Sequence, residues 1–190
     1  MPVYVVIMAG GRGERLWPLS TPEEPKQLHC FGTRMSLLRS TFERAAALTV
    51  SEHIYVVTGE GIAAKVLREL PELPPENVLV EPVGRNTAPC IAYAAAVISR
   101  RDPEAVMAVF PSDHLISDPD RFTRAISFGI EALKSHPGLL ITLGMVPDHP
   151  ETGYGYIAPG DVMADDGNHR LHRVTAFREK PDADTAQEYI

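Results

Sequence analysis

Apolar residues in this chain form two kinds of pattern, and the two alternate along its length. Short continuous apolar runs predict strands that are buried on both faces, because their apolar residues do not alternate with polar ones. We predict five such strands, at residues 3–8, 53–58, 78–80, 105–110 and 139–144. A later run at residues 171–178 is also typical of a strand.

Between these runs, apolar residues recur at helical spacing and predict amphipathic helices. Asn86 and Thr87 are candidate caps of the third helix, and Asp118 followed by Pro119 predicts the start of the fourth. Asp182 would cap a short helix near the end of the chain. The four apolar faces are Leu37, Leu38, Phe42, Ala45 and Leu48; Ile62, Val66, Leu67 and Leu70; Ile91, Ala92, Ala95 and Ile98; and Phe122, Ala125, Ile126, Gly129, Ile130 and Leu133.

Strands that alternate with helices predict an α/β fold. The economical architecture is a Rossmann-like, mostly parallel sheet with helices on both faces. Ligands of such sheets bind at the carboxyl ends of the strands. We therefore expect the functional residues just after the predicted strands.

A glycine-rich segment follows the first predicted strand and indicates an anion site. Gly10, Gly11 and Gly13 let backbone approach a ligand closely, and their free amides can line an anion site. Arg15 and Lys26 add a bidentate cation and a point charge beside this loop. The combination predicts a bound nucleoside triphosphate, whereas the alternative is a glycine-rich surface turn with solvated cations.

Two common nucleotide-binding motifs do not fit this loop. The P-loop requires four residues between its glycines and then Gly-Lys-Ser or Gly-Lys-Thr, and the segment has neither. Gly11 and Gly13 could start a dinucleotide fingerprint, but position 16 is Leu and the following prolines predict an irregular loop rather than a helix. A nicotinamide-dependent enzyme is therefore not indicated.

Polar clusters also follow the other predicted strands, as expected if ligands bind at the carboxyl ends of the strands. We single out four of them: Glu81 to Pro89, Pro111 to His114, Thr152 to Tyr156, and Glu179 to Pro181.

Composition narrows the range of partners. The formal net charge of −7 argues against general nucleic-acid binding, which requires a basic face. The two cysteines have no zinc or disulfide spacing, and neither a signal peptide nor an apolar run of membrane-spanning length is evident. We expect a cytoplasmic protein that binds no nucleic acid and no membrane.

Taken together, these segments resemble the amino-terminal part of the mannose-1-phosphate guanylyltransferases (GDP-mannose pyrophosphorylases), which have the nucleotide-diphospho-sugar transferase fold. The resemblance covers essentially the whole chain and predicts that residues 1–190 are an incomplete, amino-terminal portion of a nucleotidyltransferase domain. Arg85 to Pro89 and Leu16 to Ser20 point to the guanylyl, mannose branch. The other matching segments are Met8 to Arg15, Pro25 to Gln27, Glu81-Pro82, Pro111 to His114, Thr152 to Ile157 and Phe177 to Pro181.

The resemblance implies that GTP and mannose 1-phosphate react to give GDP-mannose and pyrophosphate. It assigns polyphosphate binding to Arg15, Lys26 and the glycines, and Mg²⁺ binding to Asp113. Glu81, Asn86 and Thr87 would contact guanine or ribose. Mannose would be contacted by Tyr154, Gly155 and Glu179, and its phosphate by Lys180.

A backbone carbonyl could serve in place of Glu81 as the acceptor for guanine. The other assignments have structural alternatives, and the function has two alternatives. The residue alternatives are surface charge for Arg15 and Lys26, a turn cap for Asp113, N-capping for Asn86 and Thr87, a hairpin turn for Gly155, and a solvated charge pair for Glu179 and Lys180. The chain could instead belong to a nucleotidyltransferase for another base or sugar phosphate, or to a non-catalytic regulatory subunit of the same fold. The oligomeric state stays open, with a homodimer as one alternative.

Overall fold

The structure is a computed structural model that describes residues 1–11, 16–21, 23–32 and 34–190. It divides into two compact units, Met1–Arg124 and Ala125–Ile190.

The first unit is built on a parallel sheet of four strands: β1 (Val3–Met8), β2 (Ile54–Gly59), β3 (Val78–Glu81) and β4 (Val106–Pro111). Their order is β3-β2-β1-β4, and each neighbouring pair is parallel. Four of the five predicted strands are thus confirmed to within one residue at each end. The central strands read as continuous apolar runs because both of their faces are covered.

Helices of the first unit cover the sheet. They are α1 (Leu37–Ala46), α2 (Glu60–Glu69) and α3 (Thr87–Arg101), and α4 (Pro119–Ser135) runs across the unit boundary. Tyr4 and Val6 of β1 belong to the core cluster that includes α3 residues, whereas the strand pleat turns Val5 and Ile7 to the opposite face. All four predicted helices are confirmed.

The buried face of α3 differs from its predicted face. The residues of this helix that are buried are Cys90, Ala94 and Ile98, whereas Ala92 is exposed. Cys90 and Ala94 are small, so the helix can lie close to the aromatic rings of Tyr4 and Tyr55 in the same cluster. Cysteine is among the most frequently buried residue types, and the prediction gave it too little weight.

The predicted strand over residues 139–144 is wrong. Residues 139–147 have no regular secondary structure, and Leu140 and Val146 are 101% and 94% exposed. The apolar composition of residues 139–144 is typical of a strand. A strand is stable only when its amides and carbonyls are paired with a neighbouring strand, and composition does not provide that partner.

The second unit contains an antiparallel pair of strands, β5 (Gly155–Asp165) and β6 (Arg170–Glu179), followed by α5 (Ala183–Glu188). The prediction of a strand at residues 171–178 is confirmed, as is the cap at Asp182, which accepts from Thr185 N. Strand β5 was not predicted, because Pro159 and Gly160 interrupt its pattern. The structure accommodates them with register shifts on either side of Pro159.

Candidate functional site

The site in the first unit begins where β1 ends, at Ala9. Its amide donates to Val57 O at 2.8 Å, which continues the sheet pairing by one residue. Its carbonyl accepts two side-chain hydrogen bonds, from Gln27 Nε2 at 2.9 Å and from Thr58 Oγ1 at 3.0 Å. The backbone that leads into the glycine-rich segment is therefore fixed on both sides of Ala9.

The two described glycines of this segment differ in their surroundings. A Cβ at Gly10 would lie 3.4 Å from Glu81 Oε2, so the glycine backbone and the end of β3 are neighbours. A Cβ at Gly11 would have no heavy atom of the described residues within 4 Å. The predicted polyphosphate contacts of Gly13 and Arg15 lie outside the described residues, and they stay predictions.

Lys26 and Asp113 form an ion pair at the same edge of the sheet. Lys26 opens a short 3-10 helix, Lys26–Leu28, and Asp113 follows the last residue of β4 by two positions. The two segments meet because β4 pairs directly with β1, and Ser112 N donates to Met8 O at 3.0 Å. The structure thus brings a cation, a carboxylate and a glycine backbone to the carboxyl ends of adjacent strands.

Arg44 supports the Asp113 loop and was not among the predicted site residues. Its guanidinium donates to His114 O at 3.2 Å and to Thr41 Oγ1 at 2.7 Å, and it lies over the Phe122 ring. Burial lowers the pKa of Arg44 from its usual value, because desolvation disfavours the charged form. One sequence signal existed: Arg44 falls among the inward positions of α1, between Phe42 and Ala45.

The segment after β3 forms an open hollow of about 470 Å³. Glu81 and Arg85 supply its charged groups, and Tyr93 supplies an aromatic ring; Pro82, Val83 and Pro89 complete the lining. Burial, with a smaller effect of the nearby Glu81 carboxylate, raises the pKa of the Cys90 thiol to about 11. The Glu81 carboxylate can accept hydrogen bonds in this hollow, and the Arg85 guanidinium can donate them.

Asn86 has an unusual backbone next to this hollow. Its φ of 71° and ψ of −169° lie in a region that residues other than glycine rarely adopt, at a cost of about 1–3 kcal/mol. Its side chain accepts from Thr87 N at 2.9 Å, so the predicted N-cap of α3 is confirmed. Capping leaves the donor side of the Asn86 amide available for a ligand, so a binding role is compatible with the cap.

The second unit gathers the four residues predicted to bind the sugar phosphate at one end of its strand pair. Gly155 pairs with Glu179 in the β5–β6 register, and Lys180 N donates to Tyr154 O at 3.2 Å. The Lys180 ammonium contacts Glu179 Oε1 at 2.8 Å, and both side chains are largely exposed. Lys180 has a positive φ of 44°, so its backbone adopts a conformation that is uncommon for residues other than glycine.

A side chain at position 155 would force Phe177 and Glu179 to move. A Cβ there would lie 2.5 Å from Phe177 Cζ and 2.9 Å from Glu179 Oε2. Gly155 is the first residue of β5 rather than part of the hairpin turn, so the turn alternative for this residue is wrong. The alternative of a solvated charge pair at Glu179 and Lys180 matches the exposed pair that is observed.

Asp113 fits a metal that arrives with a substrate better than a resident one. Within the described ranges, no group of three or more His, Cys, Asp or Glu side chains could hold an ion. Mg²⁺ in phosphate-transfer sites is often held by one or two carboxylates together with substrate phosphates and water. A single partly exposed carboxylate beside a cation and bare glycine backbone matches that pattern.

Comparison with known proteins places the chain in a family. A model of the nucleotidyl transferase family matches residues 4–190. The chain belongs to the nucleotidyl transferase family. A mannose-1-phosphate guanylyltransferase of Escherichia coli K12 is 41% identical over 192 residues, which cover 99% of this chain and 40% of the relative. The mannose-1-phosphate guanylyltransferase RfbM of Salmonella typhimurium LT2 is 42% identical over 194 residues, covering 100% and 39%.

A solved structure shows the same fold. A crystal structure described as mannose-1-phosphate geranyltransferase from Thermus thermophilus matches with a TM-score of 0.86 and 34% identity, covering 100% of this chain and 53% of that one. The chain spans about 40% of the length of the curated relatives it matches. In the described part of the chain, every helix is too short or too polar to cross a membrane.

Proposed function

We propose that this member of the nucleotidyl transferase family transfers GMP from GTP to mannose 1-phosphate, releasing pyrophosphate and forming GDP-mannose. The observation that carries the proposal is the Lys26–Asp113 pair beside Gly10 and Gly11, at the carboxyl edge of a parallel sheet. The names of the curated relatives support the choice of GTP and mannose 1-phosphate.

The chemistry needs positioning more than proton transfer. A phosphate oxygen of mannose 1-phosphate attacks the α-phosphorus of GTP in line with the departing pyrophosphate. This oxygen is already ionised at neutral pH, so no general base is required. Two anions must be held together while charge builds on the leaving group, which oriented cations and backbone amides can do.

Lys26 and Arg15 hold the polyphosphate in this proposal, and Gly10, Gly11 and Gly13 admit it to the backbone. Asp113 would hold Mg²⁺, which when bound would neutralise phosphate charge. In the observed pairing, Lys26 and Asp113 neutralise one another. Binding of the nucleotide redirects both: the ammonium turns to phosphate oxygens, and the carboxylate becomes available as a ligand.

The residues after β3 select the base, and the residues at the end of the β5–β6 pair select the sugar. Glu81 accepts hydrogen bonds from N1–H and the amino group of guanine, and Asn86 and Thr87 contact the base or ribose. Tyr154, Gly155 and Glu179 contact mannose, with the carboxylate accepting from sugar hydroxyls. Lys180 contacts the phosphate of mannose 1-phosphate.

Substrate competition tests the proposed reaction. The full natural polypeptide is assayed for pyrophosphate release with GTP, UTP, ATP or dTTP, each with mannose 1-phosphate and with glucose 1-phosphate. The proposal expects GTP and mannose 1-phosphate to give the highest kcat/KM. Preference for another pair would assign a different nucleotidyltransferase, and no turnover with any pair would favour a non-catalytic subunit.

The role of Asp113 is tested separately. Asp113→Ala should reduce turnover by about 10³-fold or more, because removal of even one electrostatic contact to developing charge costs about 10²–10³. The residual rate should no longer rise with Mg²⁺ concentration. Asp113→Asn is the matched control, since it keeps the shape but removes the charge. A variant that keeps the wild-type Mg²⁺ dependence would assign the metal to another residue.

A further inference from the structure

Gln27 links the lysine segment to the start of the glycine-rich segment. It directly follows Lys26, yet its side chain is buried, with 1% exposure. Its Nε2 crosses to Ala9 O, the carbonyl immediately before Gly10, at 2.9 Å. A side-chain amide therefore joins the two pieces of backbone on which the proposed polyphosphate site depends.

The Ala9 carbonyl does not need Gln27 in order to be satisfied. Thr58 Oγ1 already donates to the same oxygen at 3.0 Å from a fully buried position on β2. Burying a polar amide is costly unless both of its ends find partners, and an apolar side chain could fill the same space without that cost. A buried glutamine as a second donor to this carbonyl therefore points to a role other than satisfying it.

Local bonds shape the turn that carries Lys26. Leu28 N donates to Pro25 O at 2.9 Å, and His29 N donates to Lys26 O at 3.1 Å. These bonds fix the shape of the 3-10 turn but not its position against β1. Leu37 N ties the end of the turn to α1 by donating to His29 O at 3.1 Å, and the Lys26–Asp113 pair reaches the loop after β4. The bond from Gln27 to Ala9 joins the turn to the end of β1.

We propose that Gln27 is a positioning residue for Lys26. Its buried amide fixes the lysine turn against Ala9, so that the ammonium and the glycine amides act on the same polyphosphate. Lysine is a point charge on a flexible stem, and its contribution depends on where the backbone below it is held. This role rests on the proposed function.

A double-mutant cycle between Gln27 and Lys26 tests the proposal in the full natural polypeptide. Gln27→Met keeps the length and volume of the side chain and removes the donor. It should reduce kcat/KM for GTP by about 10- to 100-fold in the presence of Lys26, as expected for misplacement of a catalytic group. In a Lys26→Ala background the same substitution should reduce it by no more than about twofold, because there is no ammonium left to position.

Thr58→Val is the matched control. It removes the other donor to the same carbonyl, and its effect on kcat/KM should be the same with Lys26 and with Lys26→Ala. Both Gln27→Met and Thr58→Val should lower the midpoint of thermal unfolding, so stability alone does not distinguish them. The two variants are distinguished only by whether their effect on kcat/KM depends on the presence of Lys26.

An equal effect of Gln27→Met in both backgrounds, or no effect in either, would overturn the proposal. If Gln27→Met does not fold, Gln27→Asn enters the same cycle, since its shorter amide keeps the polarity but does not reach Ala9 O. The wild-type rate with GTP and mannose 1-phosphate is measured first. An inactive wild type would contradict the proposed function, whereas an active wild type without coupling would contradict only the role of Gln27.

Discussion

The two units of the chain hold their candidate site residues in different ways. In Met1–Arg124, residues far apart in sequence meet because adjacent parallel strands end at one edge; Lys26 and Asp113 are the example. In Ala125–Ile190, the candidate residues meet because two antiparallel strands pair in register, as Gly155 does with Glu179.

The two units also differ in how deeply their side chains are buried. The central strands of the first unit are fully buried, and the side chains that position its site, such as Gln27 and Thr58, are buried with them. In the second unit, Tyr154 and Phe177 are 73% and 62% exposed. The proposed nucleotide site therefore depends on tertiary positioning, whereas the proposed sugar-phosphate site depends on strand register and on the close packing around Gly155.

The largest expected difference between the units is between their two lysines. Lys180→Ala in the full natural polypeptide should reduce turnover with mannose 1-phosphate by about 10²–10³-fold, as for loss of one contact to a reacting anion. GTP should still bind with unchanged affinity, measured by calorimetry. Lys26→Ala should weaken GTP binding itself, and it serves as the matched control.

Unchanged turnover of Lys180→Ala would remove that residue from the site. Equal loss of GTP affinity in both variants would contradict the assignment of separate roles to the two units.

Substitution of one glycine in each unit should have an effect of intermediate size. Gly155→Ala should destabilise the fold by about 1–3 kcal/mol, because the new Cβ would overlap the Phe177 ring at 2.5 Å. Gly11→Ala should leave the free energy of unfolding nearly unchanged, since the added Cβ would meet no heavy atom of the described residues within 4 Å. It should instead raise KM for GTP. Denaturant titration measures the first effect and steady-state kinetics the second.

Either of two results would contradict these expectations for the glycines. A stable Gly155→Ala variant would show that strand register does not require this glycine. A Gly11→Ala variant with normal KM would show that the backbone at position 11 does not approach the nucleotide.

The smallest effect should come from a surface ion pair of the first unit. Two Arg39 hydrogen bonds to Glu72 lower the pKa of that carboxyl to about 2, below its usual 4.5. The pair therefore stabilises the fold above about pH 4.5, and this contribution is lost as the pH falls through about 2. Because both groups are partly exposed, it should amount to no more than about 1 kcal/mol at neutral pH.

Glu72→Gln should remove that contribution. Its free energy of unfolding should be slightly below that of the wild type at pH 7, and the two should converge as the pH approaches 2. A difference that persists undiminished at pH 2 would show that the carboxylate charge is not responsible.

The parallel sheet could be predicted because its signals are local. Continuous apolar runs and helical spacing identified β1 to β4 and α1 to α4 to within a few residues, and strand ends then indicated where Lys26 and Asp113 should lie. The caps at Asn86 and Asp182 also depend only on neighbouring residues.

What could not be predicted depends on contacts between distant segments. Residues 139–144 have the composition of a strand but no paired backbone, and β5 contains Pro159, which only a register shift accommodates. The buried side chains of Arg44 and Gln27 are polar residue types that are usually exposed. Their roles follow from the carbonyls of His114 and Ala9, which lie far away in the chain.

A crystal structure of the chain with GTP and Mg²⁺ would test the central claim most directly. We expect the triphosphate against the backbone of Gly10 and Gly11, the ion at the Asp113 carboxylate, and Lys26 moved from Asp113 to a phosphate oxygen. A nucleotide bound elsewhere, with the Lys26–Asp113 pair intact, would contradict it.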